Sequence, residues 1–158
     1  MKNPEQDHQK SHYTRFVLML LCSFAAMYIT MYFNTYTADH VYFSLTRFYM
    51  GCMGISAMAL IMLFFMWGMY KDEKKNAAII LSSVGLFFAS LFLVRAQQPI
   101  GDVLWMKAMI PHHSIAILTS GRADIQDPEV KELAGEIIEA QEREIEQMKR
   151  MIERLENQ

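Results

Sequence analysis

The sequence predicts an all-α membrane protein in which three transmembrane helices are followed by an antiparallel helical hairpin outside the bilayer. Three observations carry this. Residues 16–33, 48–70 and 77–94 contain no Asp, Glu, Lys, Arg or His, most of the charge follows residue 95, and that tail repeats its apolar residues at three- and four-residue steps. The apolar content, 53% of 158 residues, is clustered in runs rather than spread as in a soluble domain.

Each run is long enough to cross a hydrocarbon layer of ~30 Å at ~1.5 Å per residue. Lys2, Lys10 and Arg15 precede the first span and Lys71, Lys74 and Lys75 lie between the second and third, whereas the 34–47 loop carries only Arg47. Basic residues stay on the cytoplasmic side, so residues 1–15 and the "KDEKK" loop are expected there. An odd number of spans then puts residues 95–158 on the extracytoplasmic, periplasmic face of a cytoplasmic (inner) membrane. The first span exceeds the ~7 to 15 apolar residues of a cleaved signal peptide, and its small pair Ala25 and Ala26 lies in mid-span, which fits an uncleaved anchor. Cys22 and Cys52 fall at different depths, too far apart for a disulfide. The N-terminal segment with His8 and His12 is expected to be disordered. Tyr32, Tyr36, Tyr42, Tyr49, Trp67 and Tyr70 fit interfacial anchoring.

The tail is punctuated clearly. Pro99 and Gly101 close the third span, a helix follows over about 102–120, and Asp127 with Pro128 opens a second over about 128–156 as N-cap and first helical residue. Val130, Leu133, Ala134, Ile137, Ile138, Ile145, Met148, Ile152 and Leu155 give the second helix an apolar face. The first helix is its obvious partner across a short turn.

The stretch "DVLWMKAMIPHHSIAI" (102–117) sets two methionines, a proline and two histidines inside this first helix. Helical spacing aligns Asp102, Met106, Met109, His113 and Ala116 in one stripe, with His112 turned about 100° away. Pro111 removes a helical hydrogen bond beside the histidines. Across the hairpin, the level of Met109 and His113 is expected opposite about 137–141, and Met106 opposite about 141–144. There Gln141 and Glu144 interrupt the apolar pattern, with Met148 one turn on. Buried polar groups need partners, so His113, Gln141 and Glu144 belong either to a hydrogen-bonded layer or to a metal site. Thioethers from Met106, Met109 and Met148 and imidazoles from His112 and His113 are soft and borderline ligands suited to Cu(I), with Asp102, Gln141 and Glu144 supporting them from behind.

At these residues the chain resembles the DUF 305 family. Trp105, Met109, Ile110, Pro111, His112, His113, Ala116 and Ile117 match its Met-Ile-Pro-His-His motif, and Leu133, Ala134, Ile137, Gln141, Glu144, Ile145 and Met148 match its second helix. The likeness covers residues 99–158. It implies a ferritin-like helical domain and, by analogy with some members, extracytoplasmic copper binding through Met and His. Leu118 and Thr119 stand where the family often has Met-Ala, which removes one possible ligand. Two helices cannot cover each other's faces fully, and the second outruns the first, so Met148, Met151, Ile152 and Leu155 are expected to be covered by a second subunit in a four-helix arrangement.

Nine of the fourteen methionines lie between residues 19 and 69, with Met58, Met62, Met66 and Met69 in a stripe that resembles trimeric copper transporters superficially. The charge asymmetry predicts the opposite orientation, and no Gly-x-x-x-G follows in the third span. Enzyme readings lack support. There is no His-Glu-x-x-His, no Glu-x-x-His in the tail of the kind that builds ferritin-like di-iron centres and no glycine loop for phosphate, and Ser114, next to His113 in sequence, falls on another face. The tail is not basic enough for nucleic acid. The reading is therefore a membrane-anchored, non-enzymatic, extracytoplasmic metal-binding protein for copper capture or homeostasis. Its alternative is a structural module whose hairpin assembles homo-oligomers without metal.

Overall fold

The computed structural model describes residues 4–157, with side chains from Ser11 onward. It is all-helical: α1 (Pro4–Thr30), α2 (Leu45–Phe65), α3 (Glu73–Ala96), α4 (Asp102–Arg122) and α5 (Pro128–Glu156), with 3₁₀ turns at Ala38–His40 and Trp67–Met69. No strand occurs among the described residues.

Three helical stretches, Ser11–Thr30, Leu45–Phe65 and Glu73–Ala96, are long and apolar enough to cross a membrane, and only 11%, 22% and 11% of their most apolar windows are buried within the protein. Apolar surface of that extent calls for lipid rather than water. Their ends differ from the expected 16–33, 48–70 and 77–94 for local reasons. Helix α1 runs back to Pro4, so the segment expected to be disordered is helical from Pro4 onward. No Gly or Pro interrupts residues 5–30, and Pro itself suits a first turn. Residues 1–3 lie outside the described residues. Helix α2 starts at Leu45 because the hydroxyl of Ser44 accepts the Arg47 amide at 3.2 Å. Asp72 likewise caps α3 by accepting the Lys75 amide, which draws the polar turn Glu73–Asn76 into the helix. Gln97, at φ 51°, ends α3 in a left-handed conformation.

The chain forms two compact units. In the first, residues 4–29 and 48–98, Phe16 and Leu63 are the most deeply buried side chains, joined by Tyr13, Ala59 and Tyr70, with Met62 and Met66 packed on them. The hydroxyl of Tyr13 donates to Asn76 Oδ1 at 2.8 Å, and Asn76 donates to the carbonyl of Tyr70 at 2.8 Å. Both cysteines are free.

In the second unit, residues 30–47 and 99–157, α4 and α5 form the expected hairpin and the 30–47 segment lies against it. Helix α4 continues through Pro111, which is buried. Asp127 accepts the Val130 amide at 3.0 Å and Pro128 is the first residue of α5, as the sequence predicts. The register differs from the expectation. Three marks fix it: Lys107 pairs with Glu156, His113 lies 3.2 Å from Glu144, and a Cβ on Gly121 would sit 3.9 Å from Ile138. Helix α5 is therefore slid by about two turns relative to a symmetric hairpin, and Met106 comes level with Ile152 rather than with 141–144. Its overhang falls at its start, where Val130 and Leu133 remain 50% and 53% exposed. The expectation that Met148, Met151, Ile152 and Leu155 need a second subunit is corrected: Met148 and Ile152 are buried within this unit, and Met151 and Leu155 pack on the same core.

Candidate functional site

The interior of the second unit is one apolar cluster of Met106, Ile110, Ile117, Ile145, Met148 and Ile152, with Tyr42, Val103, Met109, Ile138, Met151 and Leu155 packed on it. Helix periodicity explains the sulfur content. Met106 and Ile110 are one turn apart on α4, and Ile145, Met148 and Ile152 recur at three and four residues on α5. Three sulfur candidates from the sequence, Met106, Met109 and Met148, are thus brought to one cluster, and Met151 joins them.

The inward stripe of α4 is rotated from the expected one. Ile110 and Ser114, both 0% exposed, face the interior, while Met109 and His113 lie on its margin. Asp102 is exposed in the first turn of α4, and Gln141 is half-buried on α5. His112 is exposed, its ring centroid 6.1 Å from that of His113.

His113 is the most unusual polar group here. Its Nδ1 is buried and makes no hydrogen bond. A Glu144 carboxylate oxygen lies 3.2 Å away without the alignment that a hydrogen bond needs. Burial pushes the His113 imidazole below its ordinary pKa; Glu144 opposes this and His112 adds to it. The ring is accordingly neutral near pH 7.

A second polar group was not legible in the sequence. His40, from the 30–47 segment, is buried with Nδ1 3.0 Å from the hydroxyl of Ser114, which also accepts the Tyr36 amide at 2.7 Å. Beside it Lys149 donates to Asp39 at 2.7 Å. The Lys149 hydrogen bond, then one from Thr37, lowers the Asp39 pKa to about 2. Arg47 reaches the Pro111 carbonyl at 3.4 Å and the Met31 carbonyl at 2.7 Å while lying over the Tyr32 ring. Helical spacing alone set Ser114 off the expected inward stripe of α4, so nothing in the sequence marked it as a core position in need of a partner. The serine is fully buried and its oxygen is engaged by Tyr36 and His40, an arrangement suited to holding a loop.

Among the described residues no three His, Cys, Asp or Glu side chains converge as a metal site would require. Met106, Met109 and Met148 share the apolar cluster, and His113 lies one turn along α4 from Met109.

Comparison with known proteins fits this division of the chain. The family model described as "Domain of unknown function (DUF305)" matches residues 92–153. An uncharacterized protein of Acanthamoeba polyphaga mimivirus is 29% identical over 140 residues, covering 87% of this chain and 90% of the viral protein. That likeness is longer than the family match and so extends into the apolar N-terminal region. No solved structure matches. The chain is thus an all-helical protein with three candidate membrane helices and a region similar to DUF305.

Proposed function

We propose that this protein is a membrane-anchored, non-enzymatic copper-binding protein of the DUF 305 type, which captures Cu(I) outside the cytoplasmic membrane for homeostasis. The observation that carries this reading is the gathering of Met106, Met109 and Met148 in one cluster, with His113, one turn along α4 from Met109, having an Nδ1 that is buried without a hydrogen-bond partner. Leaving such a group unpaired costs about 1–3 kcal/mol, and a bound ion would remove that cost. Met106, Met109, Met148 and His113 would hold the ion, and His112, exposed next to His113, would be the first group it meets. Bound copper supplies a soft Lewis-acid centre. The protein's part is to keep the thioethers together, keep His113 neutral and exclude water. The basic residues before the first span and in the "KDEKK" loop support a cytoplasmic N-terminus and an extracytoplasmic α4–α5 hairpin.

The test is a Cu(I) titration of the full chain in detergent against a competing chelator, with Met109→Leu and His113→Ala alongside. The expected result is one tight site weakened at least about tenfold by either change, which corresponds to about 1.4 kcal/mol. Absence of tight binding, or binding indifferent to both substitutions, overturns the reading. A second reading, an assembly module that forms homo-oligomers without metal, is favoured by the exposed Val130 and Leu133 on the overhanging first turns of α5. It would be supported by a dimer that Leu133→Glu dissociates in a sedimentation experiment.

A further inference from the structure

The 30–47 segment meets the hairpin through a few specific bonds, and His40 stands at their centre. On its own segment it neighbours Asp39, whose carboxylate lies 3.9 Å from Nε2. From α4 it meets Ser114, and from α5 it feels Lys149, Glu146 and Glu142. Two residues on, Tyr42 packs against the cluster that holds Met106 and Met148. The bonds that anchor His40 therefore also hold an aromatic ring against the cluster to which those methionines belong.

We propose that His40 is a positioning residue for the site described above, holding the 30–47 segment as a cover over Met106 and Met148 that opens when the imidazole is protonated. The proton arrangement gives the reason. Asp39 favours a hydrogen on Nε2, so Nδ1 carries a lone pair and the Ser114 hydroxyl donates to it while accepting from Tyr36. A second proton on Nδ1 turns that acceptor into a donor; the Ser114 oxygen can accept it only by turning its own proton elsewhere, and the ring then carries a full charge in a buried site. Burial already holds the His40 pKa below its ordinary value, with the pull of Asp39 and the more distant Glu146 and Glu142 outweighed and Lys149 acting in the same sense as burial. The released ring thus binds a proton more tightly than the docked one. The cover is at full strength above the ordinary value of about 6.5, and weakens as pH falls below it.

The purpose of the cover rests on the copper reading, but its existence is tested without metal. Hydrogen peroxide transfers one oxygen atom to an accessible thioether, giving methionine sulfoxide and water, and peptide mass spectrometry reports the rate for each methionine. In the full-length, metal-free protein the rate at Met148 is expected to rise by up to about tenfold from pH 7.5 to 5.5, the change in proton binding of a released imidazole over that range. His40→Gln keeps a hydrogen-bonding side chain but cannot titrate, and removes the rise. Tyr42→Ala takes away the covering ring and gives fast oxidation at both pH values. A wild-type rate that does not change with pH, or a rise that persists in His40→Gln, overturns the proposal. A protein that shows the expected pattern yet binds no Cu(I) refutes the copper reading and leaves the cover standing. One that binds Cu(I) without the pattern refutes the cover alone.

Discussion

The Nδ1 atom of His113 stands 3.2 Å from the carboxylate of Glu144, buried, without a hydrogen bond to it or to any other described group. Burial lowers the imidazole's pKa and Glu144 raises it, burial being the larger effect. In the metal-free protein His113 is therefore expected to titrate below about 6.5, and Glu144→Gln to push that titration lower still by deleting the group that favours the charged ring. The sign extends to stability. A histidine with a depressed folded pKa leaves stability intact above its unfolded value and erodes it as pH falls below. NMR titration of the ring protons checks the order; a Glu144→Gln ring that titrates higher than wild type would contradict it.

Ser114 satisfies two partners that have no other described bond to α4, the Tyr36 amide and His40 Nδ1. Replacing it with alanine leaves both unpaired, His40 Nδ1 in a buried site and the Tyr36 amide in a partly buried one, at up to about 1–3 kcal/mol for each. The loss in Ser114→Ala is expected at about 2 kcal/mol, because loosening of the 30–47 segment lets water reach one of the two. Ser114→Thr restores the hydroxyl and is expected to recover part of the loss. Denaturant unfolding of the purified protein measures both.

The fold was legible where the sequence is periodic or punctuated. Uninterrupted apolar runs marked the spans, and Asp127 with Pro128 marked the start of α5. The site was legible only in part, because composition along one helix says which residues share a face but not how far a partner helix is slid along it. Met106, Met109 and Met148 were recognisable as inward methionines. The rotation that brings Ile110 and Ser114 inward depends on the register with α5, and that register is set by contacts such as Gly121 with Ile138. The part played by His40 had no local signal, since its partner lies seventy-four positions away in the chain.

That register makes a sharp contrast between two apolar side chains of the hairpin. Ile110 is fully buried in the cluster, whereas Leu133 sits on the overhanging start of α5, 53% exposed. Ile110→Ala is expected to cost about 2–5 kcal/mol through lost burial and the cavity it leaves. Leu133→Ala is expected to stay within about 0.5 kcal/mol, as for surface positions generally. Equal losses in the same unfolding assay would show that α5 lies in the symmetric register instead.

Among the glycines of the three candidate membrane helices the tightest surroundings are at Gly51 of α2, where an added Cβ would sit 3.0 Å from Cε2 of the Phe24 ring. The Phe24 ring is stacked on Tyr28 at 6.2 Å and set edge-on to Phe48 at 5.5 Å between centroids, so shifting it disturbs both contacts. Gly51→Val is therefore expected to separate α1 from α2 and to destabilise the first unit by about 1–3 kcal/mol, the usual cost of overfilling a packed contact. Gly68 is the internal comparison. It lies in the 3₁₀ turn Trp67–Met69 with open space where a Cβ would go, so Gly68→Ala is expected to stay within about 0.5 kcal/mol of wild type. Unfolding in mixed micelles with increasing anionic detergent, followed by circular dichroism, ranks the two. A Gly51→Val protein as stable as Gly68→Ala would mean that the Phe24 ring and α2 are not in contact.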